Sequence, residues 1–409
     1  MGVQVSYFFF IKNINKKKMK ILNNDQFFQW FVGFTEAEGY FKFKPRYRNG
    51  KIISFQFEFE IHLHIDDFEL LNNIKEKLKI GNVYANNSRN SCNFVIGSEK
   101  ELRLLINLFD GFPLNGVKLL DFLQFKEAFL LYFNREGTIN EDLIKKLLKL
   151  KEGLNRGRVD FAMPLNHKIN ITGYWLLGLI EGEGSFSMTR GSRLRPCFQL
   201  LFTASQKPIL ESIKLFLINN LGFDRFSLWK LANSSGVGIF EFKAKGNSKP
   251  TVCLEIRNIL LLRNYLLPFL SDFTFLSKKG LDFADFKIIC ETLYKGAHKN
   301  SLIRELLIKL SLRMNDFRLS TFKGELVPVL TSDEYAKLLS APTELPLVNE
   351  VVYLILAENK EELLVKSLKE ASEIVGVHYS TLSRSIERTS SKEVTLNNYT
   401  IKKISVLCR

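Results

Sequence analysis

One segment of this chain occurs twice, and that repetition limits its fold more than any other feature. Trp30-Phe31-Val32-Gly33-Phe34-Thr35-Glu36-Ala37-Glu38-Gly39-Tyr40-Phe41 returns 145 residues later as Trp175-Leu176-Leu177-Gly178-Leu179-Ile180-Glu181-Gly182-Glu183-Gly184-Ser185-Phe186. A second segment, Lys118-x-Leu120-Asp121-Phe122-x-x-Phe125-Lys126, recurs as Lys279-x-Leu281-Asp282-Phe283-x-x-Phe286-Lys287. Matching segments in the same order indicate one supersecondary unit used twice.

The patterns between them repeat too. Ile53, Phe55, Phe57, Phe59, Ile61, Leu63 and Ile65 alternate with polar residues, which predicts a strand with one buried and one wet face. In the second copy Phe198, Leu200, Phe202 and Ala204 alternate with Gln199, Leu201, Thr203 and Ser205. Each is followed by an amphipathic helix, two shorter strands (82–84 and 92–96; 225–229 and 238–242) and helices carrying the second repeated segment. The expected fold is α+β: two pseudo-symmetric α-β-β-α-β-β-α halves. The 409 residues divide into a loose leader (1–24), a first half (25–154), a polar linker (155–170), a second half (171–318) and a C-terminal extension (319–409).

The repeated Trp-to-Glu segments read as helices, capped by Asp25 and Thr172 and ended by Gly39 and Gly184 in the left-handed C′ position. Gly33 with Ala37, and Gly178 with Gly182, put small residues four apart, so the two helices can pack backbone to backbone. Glu36, Glu38, Glu181 and Glu183 then fall in the last turns, where the helix dipole disfavours anions. If the glycine faces pair, Glu38 and Glu183 become neighbours, and a hard divalent cation relieves such repulsion.

Lys and Arg number 58 against 43 Asp and Glu, a net charge of +15 that points to a polyanionic partner. No run of about 18 apolar residues is free of charge, so no membrane span is expected. Cys92, Cys197, Cys253, Cys290 and Cys408 form no C-x-x-C pair, which argues against a disulfide framework or a cysteine zinc site.

Phe31–Gly39 and Leu176–Gly184 resemble the nine-residue motif of the LAGLIDADG homing endonucleases, in the form that carries both motifs in one chain. The resemblance covers about 25–318. It implies two halves forming a DNA-binding saddle, with Glu38 and Glu183 at the eighth motif position as metal-binding catalytic acids. It further implies that Lys118 and Lys279 match the basic residue near the scissile phosphate. The expected cofactor is Mg2+, or another divalent cation such as Mn2+, with Ca2+ supporting binding without cleavage. The expected activity is a metal-dependent double-strand break in double-stranded DNA at a long asymmetric target, leaving short 3′ overhangs and promoting intron mobility. The alternatives are a maturase acting on its own intron RNA, or a non-cleaving DNA-binding protein. The chain is expected to act as a monomer and without a membrane. Its 36 Phe and abundant Lys, Asn and Ile suit an A/T-rich organelle gene, hence a mitochondrial location.

A groove-reading face must be polar and basic. Lys42, Lys44, Arg46 and Arg48 alternate with Phe41, Phe43, Pro45 and Tyr47, and Gln56, Glu60 and His62 fall on the polar face of the next strand. Glu58 and Glu60 set carboxylates there, which tempers phosphate attraction. His62 and His64 read as a groove-facing polar pair. In the second half Arg190, Arg193, Arg195, Gln199, Thr203, Lys230, Lys243 and Lys245 are the corresponding candidates. Residues 367–388 read as a helix-turn-helix similar to modules appended to intron-encoded nucleases, with a strand-like 351–356 before it. Leu368, Ala371, Ile374, Val377, Leu382 and Ile386 are its expected core, and Tyr379, Ser380, Thr381 and Arg384 its DNA contacts.

Overall fold

The computed structural model describes residues 22–222, 236–246, 248–322, 330–344, 348–357, 362–365 and 367–408. The expected leader, apart from its last three residues, and Lys230 lie outside them, as does the strand expected at 225–229.

The first half runs α1 (Asn24–Glu38), β1 (Gly39–Arg48), β2 (Lys51–His64), α2 (Phe68–Leu78), β3 (Asn82–Asn86), β4 (Ser91–Ile96), α3 (Glu99–Gly111), α4 (Lys118–Phe133) and α5 (Glu141–Glu152). The second runs α6 (Gly173–Glu183), β5 (Gly184–Arg190), β6 (Leu194–Thr203), α7 (Lys207–Asn220), β7 (Gly238–Phe242) and β8 (Thr251–Ile256). It continues through α8 (Ile259–Leu261), a π turn (Leu262–Leu266), α9 (Leu267–Ser271), α10 (Lys279–Tyr294) and α11 (Ser301–Ser311). Both sheets are antiparallel and share one order, β1-β2-β4-β3 and β5-β6-β8-β7.

Period-2 patterning puts Phe41, Phe43, Phe55, Phe57 and Phe59 beneath the first sheet, against the helix that carries the second repeated segment. Phe41 packs on Phe122 and Phe125 with ring centroids 5.6 and 5.5 Å apart, and Phe186 repeats the contact on Phe283 and Phe286 at 5.6 and 5.2 Å. Ile53 departs from the expected alternation and is exposed, because the register slips opposite Arg46 and Tyr47.

α1 and α6 cross backbone to backbone. A Cβ at Gly33 would lie 1.9 Å from the Trp175 carbonyl oxygen, and one at Gly178 would lie 2.0 Å from that of Trp30. The cap of α1 is Asn23 in a capping box with Gln26, two residues ahead of the expected Asp25, which lies inside the first turn. Gly39 and Gly184 are extended (φ −73° and −70°), not left-handed. They are glycines because a Cβ would strike the preceding turn, 2.8 Å from Thr35 O and 2.5 Å from Ile180 O.

One brace closes each half. Asn155 and Asn315, both left-handed (φ 53° and 58°), donate side-chain bonds of 2.8 Å to Phe41 O and Phe186 O. Their backbone N–H groups donate to Asp121 and Asp282, which also pair with Arg158 and Arg318 at 2.9 and 2.7 Å. The first brace therefore draws on 155–158, within the segment read as linker.

Beyond 318 the chain contributes to two bodies. α12 (Ser332–Leu339) packs Tyr335 and Leu338 into the main core and pairs Glu334 with Lys309 at 2.8 Å. A separate small core follows, built from β9 (Val348–Ala357), β10 (Glu362–Val365), α13 (Leu368–Val375), α14 (Tyr379–Arg388), β11 (Glu393–Leu396) and β12 (Tyr399–Cys408). Its sheet order is β10-β9-β12-β11. The left-handed Gly376 (φ 71°) makes the turn between α13 and α14. Leu368, Ala371, Leu382 and Ile386 are buried as expected and Val377 packs on them, but Ile374 is 37% exposed and Val375 takes its place.

Candidate active site

The four glutamates at the ends of α1 and α6 separate into two kinds. Glu36 and Glu181 are buried, and each accepts backbone N–H groups from the loop before its half's repeated lysine helix. Glu36 accepts from Asn115 and from Gly116 (2.8 Å), and Glu181 from Leu276 (2.9 Å), Ser277 and the Trp30 indole (2.9 Å). These loops deliver Lys118 and Lys279. Burial raises the Glu36 carboxyl to about 7 against the pull of the two amides and Lys118, and it raises Glu181 as well. The mirror of the Trp30–Glu181 bond is missing: the Trp175 indole N–H and Glu36 Oε2 are both buried without a hydrogen-bond partner.

Glu38 and Glu183 end the same helices on the open side. Burial and then the charge of Glu183 push Glu38 to about 7, Asp67 adds to this, and Lys118 and Lys279 oppose it. Glu183 presents exposed surface, yet enough protein surrounds its carboxylate to raise its pKa too, against the same two lysines. The structure thus brings together all four residues that the sequence put forward from two distant repeats. Lys118 Nζ donates to Gly39 O at 2.6 Å, which fixes it at the end of α1. Gly182 keeps the floor bare: a Cβ there would lie 2.3 Å from Ala37 Cβ and 3.5 Å from Glu38 Oε1.

Two residues at equivalent ends of β2 and β6 were not read from sequence. Asp67 pairs with Lys278 at 2.7 Å, reaching the loop of the opposite half, and Gln206 lies by Gly116 and Glu36, again across the junction. Their signal was their place just after the alternating strands, which local pattern does not mark as special. Among the described residues no group of three or more His, Cys, Asp or Glu side chains could hold a metal. A cation would therefore rest on Glu38 and Glu183, with water and substrate oxygens completing its shell, and two crowded carboxylates of raised pKa suit that.

The open face of the first sheet is a polar net. Lys42 bridges Glu58 (3.2 Å) and Glu60, Glu60 accepts from Asn93, and Asn93 meets His62 at 2.8 Å. Arg46 reaches Gln56 at 2.5 Å, while Lys44 and Arg48 are exposed. His64 leaves the groove-facing pair expected for it: Thr321 (2.8 Å) and Asp66 (3.2 Å) hold it. In the second half Arg193 and Arg195 are exposed at the β5–β6 hairpin, Gln199 and Thr203 share the open face, and Lys243 and Lys245 follow β7 exposed. Arg190 falls on the parity of Phe186 and Met188 and stacks 5.6 Å from the Phe317 ring, so it stands apart from the row of Ser185, Ser187 and Thr189. That face also carries exposed apolar residues that the polar, basic expectation did not contain. In the C-terminal module Tyr379, Thr381 and Arg384 are exposed on α14, whereas Ser380 is half-buried with its hydroxyl 2.9 Å from His378 Nδ1. No helix among the described residues is long and apolar enough to cross a membrane.

The family model described as LAGLIDADG endonuclease matches residues 31–129 and 176–290, just over half of the chain. The chain is 28% identical over 281 residues to the probable intron-encoded endonuclease Cox1-I1b of Schizosaccharomyces pombe, covering 68% of this chain and 67% of that protein. It is 27% identical over 324 residues to the uncharacterized mitochondrial protein RF1 of Saccharomyces cerevisiae, covering 75% of this chain and 64% of that one, just under two thirds. Among solved structures, the LAGLIDADG homing endonuclease I-GzeII in complex with its DNA target superposes with a TM-score of 0.60 at 23% identity, over 71% of this chain and 99% of that one. At that identity the likeness establishes the fold.

Proposed function

The chain belongs to the LAGLIDADG endonuclease family, and from that premise we propose that it is a monomeric homing endonuclease that cuts both strands of duplex DNA at a long asymmetric site and so promotes intron mobility. The observation that carries this is the meeting of Glu38, Glu183, Lys118 and Lys279 where two pseudo-equivalent helices end. Such a centre has one carboxylate and one lysine from each half, as cutting two strands about a dyad requires.

Glu38 and Glu183 are the residues that would hold a divalent cation, Mg2+ or Mn2+. When bound, it supplies charge stabilisation at the phosphate and a water of lowered pKa. The lysines place positive charge where a phosphodiester gains negative charge in the transition state. Lys118 is anchored for this by Gly39 O, and Glu36 and Glu181 position both lysine loops through their backbone N–H groups. No side chain need form a covalent intermediate. Lys44, Arg48, Arg193 and Arg195 supply phosphate attraction beside the groove faces, and α14 of the C-terminal module lengthens the contact through Tyr379, Thr381 and Arg384. The A/T-rich composition and the yeast mitochondrial relative support a mitochondrial location.

The test is to incubate the full chain with a randomised duplex library in Mg2+, capture cut ends and read them. One asymmetric consensus with short 3′ overhangs is the expected result. Binding without cutting in Mg2+ and Mn2+ alike contradicts the nuclease assignment and directs the work to splicing of the host intron RNA.

A further inference from the structure

The two sheets share one topology, so their open faces can be compared position by position. Gly39 faces Ile61 where Gly184 faces Leu200, and Phe59 faces Ile96 where Phe198 faces Ile256. In that alignment Glu58 corresponds to Cys197, Glu60 to Gln199 and His62 to Leu201. Asn93 corresponds to Cys253, Tyr84 to Phe240 and Asn86 to Phe242.

The chemistry inverts across the pseudo-dyad. The first face is a net of carboxylates, amides, imidazole and lysine, and its exposed rings, Tyr40 and Tyr84, carry hydroxyls. On the second, Leu201 and Phe240 flank Cys253 in one row across three strands, and Phe242 stands beside them. Leu201, Phe240 and Phe242 are 45, 41 and 53% exposed. Phe240 leans back over Gly238, where a Cβ would lie 2.4 Å from its ring, so the glycine seats the ring on the sheet. An exposed apolar cluster of this kind marks a contact surface. Lys243 and Lys245 follow Phe242 in sequence and are exposed, which suits a polyanion. The apolar group that duplex DNA offers on a major-groove base edge is the C5-methyl of thymine.

We propose that the second half reads its half-site through thymine methyl groups, packed on Leu201, Phe240 and Phe242, while the first half reads hydrogen-bonding base edges. The proposal rests on the DNA-endonuclease reading and sharpens it: the target is asymmetric in kind, with methyl readout on one side only.

Replacing thymine by uracil removes that methyl and leaves base pairing intact. A duplex selected from a random library by the full chain in Ca2+ is remade with uracil in one half-site, then in the other, and titrated with wild type and with the Leu201→Ala/Phe240→Ala double variant. Substitution in one half-site should weaken binding about fourfold per contacted methyl, substitution in the other should change little, and the double variant should bind both duplexes alike. Equal losses in the two half-sites, or none, overturn the proposal while leaving specific DNA binding intact. Absence of specific binding to the unmodified duplex overturns it together with the reading beneath it, and the thymine control separates the two failures. A second copy of the chain seated on the patch would appear as a dimer dissolved by Phe242→Asp, without methyl dependence, and that too overturns it.

Discussion

Glu36 and Glu38 are two residues apart in sequence, yet one braces a loop and the other faces the junction of the halves. The brace has a cost that can be measured. The folded-state carboxyl of Glu36 sits at about 7 against an ordinary 4.5, so the folded protein keeps the proton longer than the unfolded chain. Its contribution is present below about pH 4.5 and is lost as pH rises through about 7. Glu36→Gln keeps an acceptor for the two amides without the charge. In metal-free buffer its stability relative to wild type should rise from pH 5 to pH 8 by up to about 3 kcal/mol, read from urea unfolding midpoints. Glu38 titrates in the same window in both proteins and cancels. A difference independent of pH contradicts this account of the brace. The sequence spacing marked the helix ends as acidic, but it could not tell brace from site, because the amides that claim Glu36 and Glu181 come from loops at 115–116 and 276–277. Local pattern carries no trace of that meeting.

The crossing of α1 and α6 was legible because small residues four apart have few other uses on an otherwise bulky helix face. Its tightness sets a prediction. Gly178→Ala drives a methyl into the Trp30 carbonyl and should destabilise by about 3 kcal/mol or more, whereas Gly111→Ala, with nothing within 4 Å, should be neutral or slightly stabilising. Equal effects in thermal unfolding would mean the helices are not in backbone contact. The caps were less legible. A glycine after a helix usually signals a left-handed turn, and here it signals a strand leaving at once past the preceding carbonyl. The braces were hidden also, since Asn-x-x-Arg has meaning only beside the Asp of another helix. Arg318→Ala strands Asp282 and Asp285, which are 3 and 2% exposed, and should cost roughly 3–5 kcal/mol. Adding Asp282→Asn and Asp285→Asn should recover part of that loss, and no recovery would show that the arginine acts through packing alone.

At the scale of the molecule the duplication gave away most of the architecture, because each half is built of periodic elements long enough to read. The chain after 318 was harder: α12 is short and joins the main core, and the local hairpins β9–β10 and β11–β12 become one sheet only through the long-range β9–β12 pairing of a small module with its own core. Removing 345–409 should therefore leave cooperative unfolding and cleavage in place while shortening the footprint on DNA at one end, and a collapse of the main transition would show that the module is integral. The central claim is that carboxylates from both halves act together. The direct measurement is single-turnover cleavage of a selected duplex in Mg2+ by wild type, Glu38→Gln and Glu183→Gln, with affinity measured in parallel in Ca2+. Both variants are predicted to bind within about threefold of wild type and to lose double-strand cleavage by at least about a thousandfold; double-strand cleavage near the wild-type rate by either one would contradict the account.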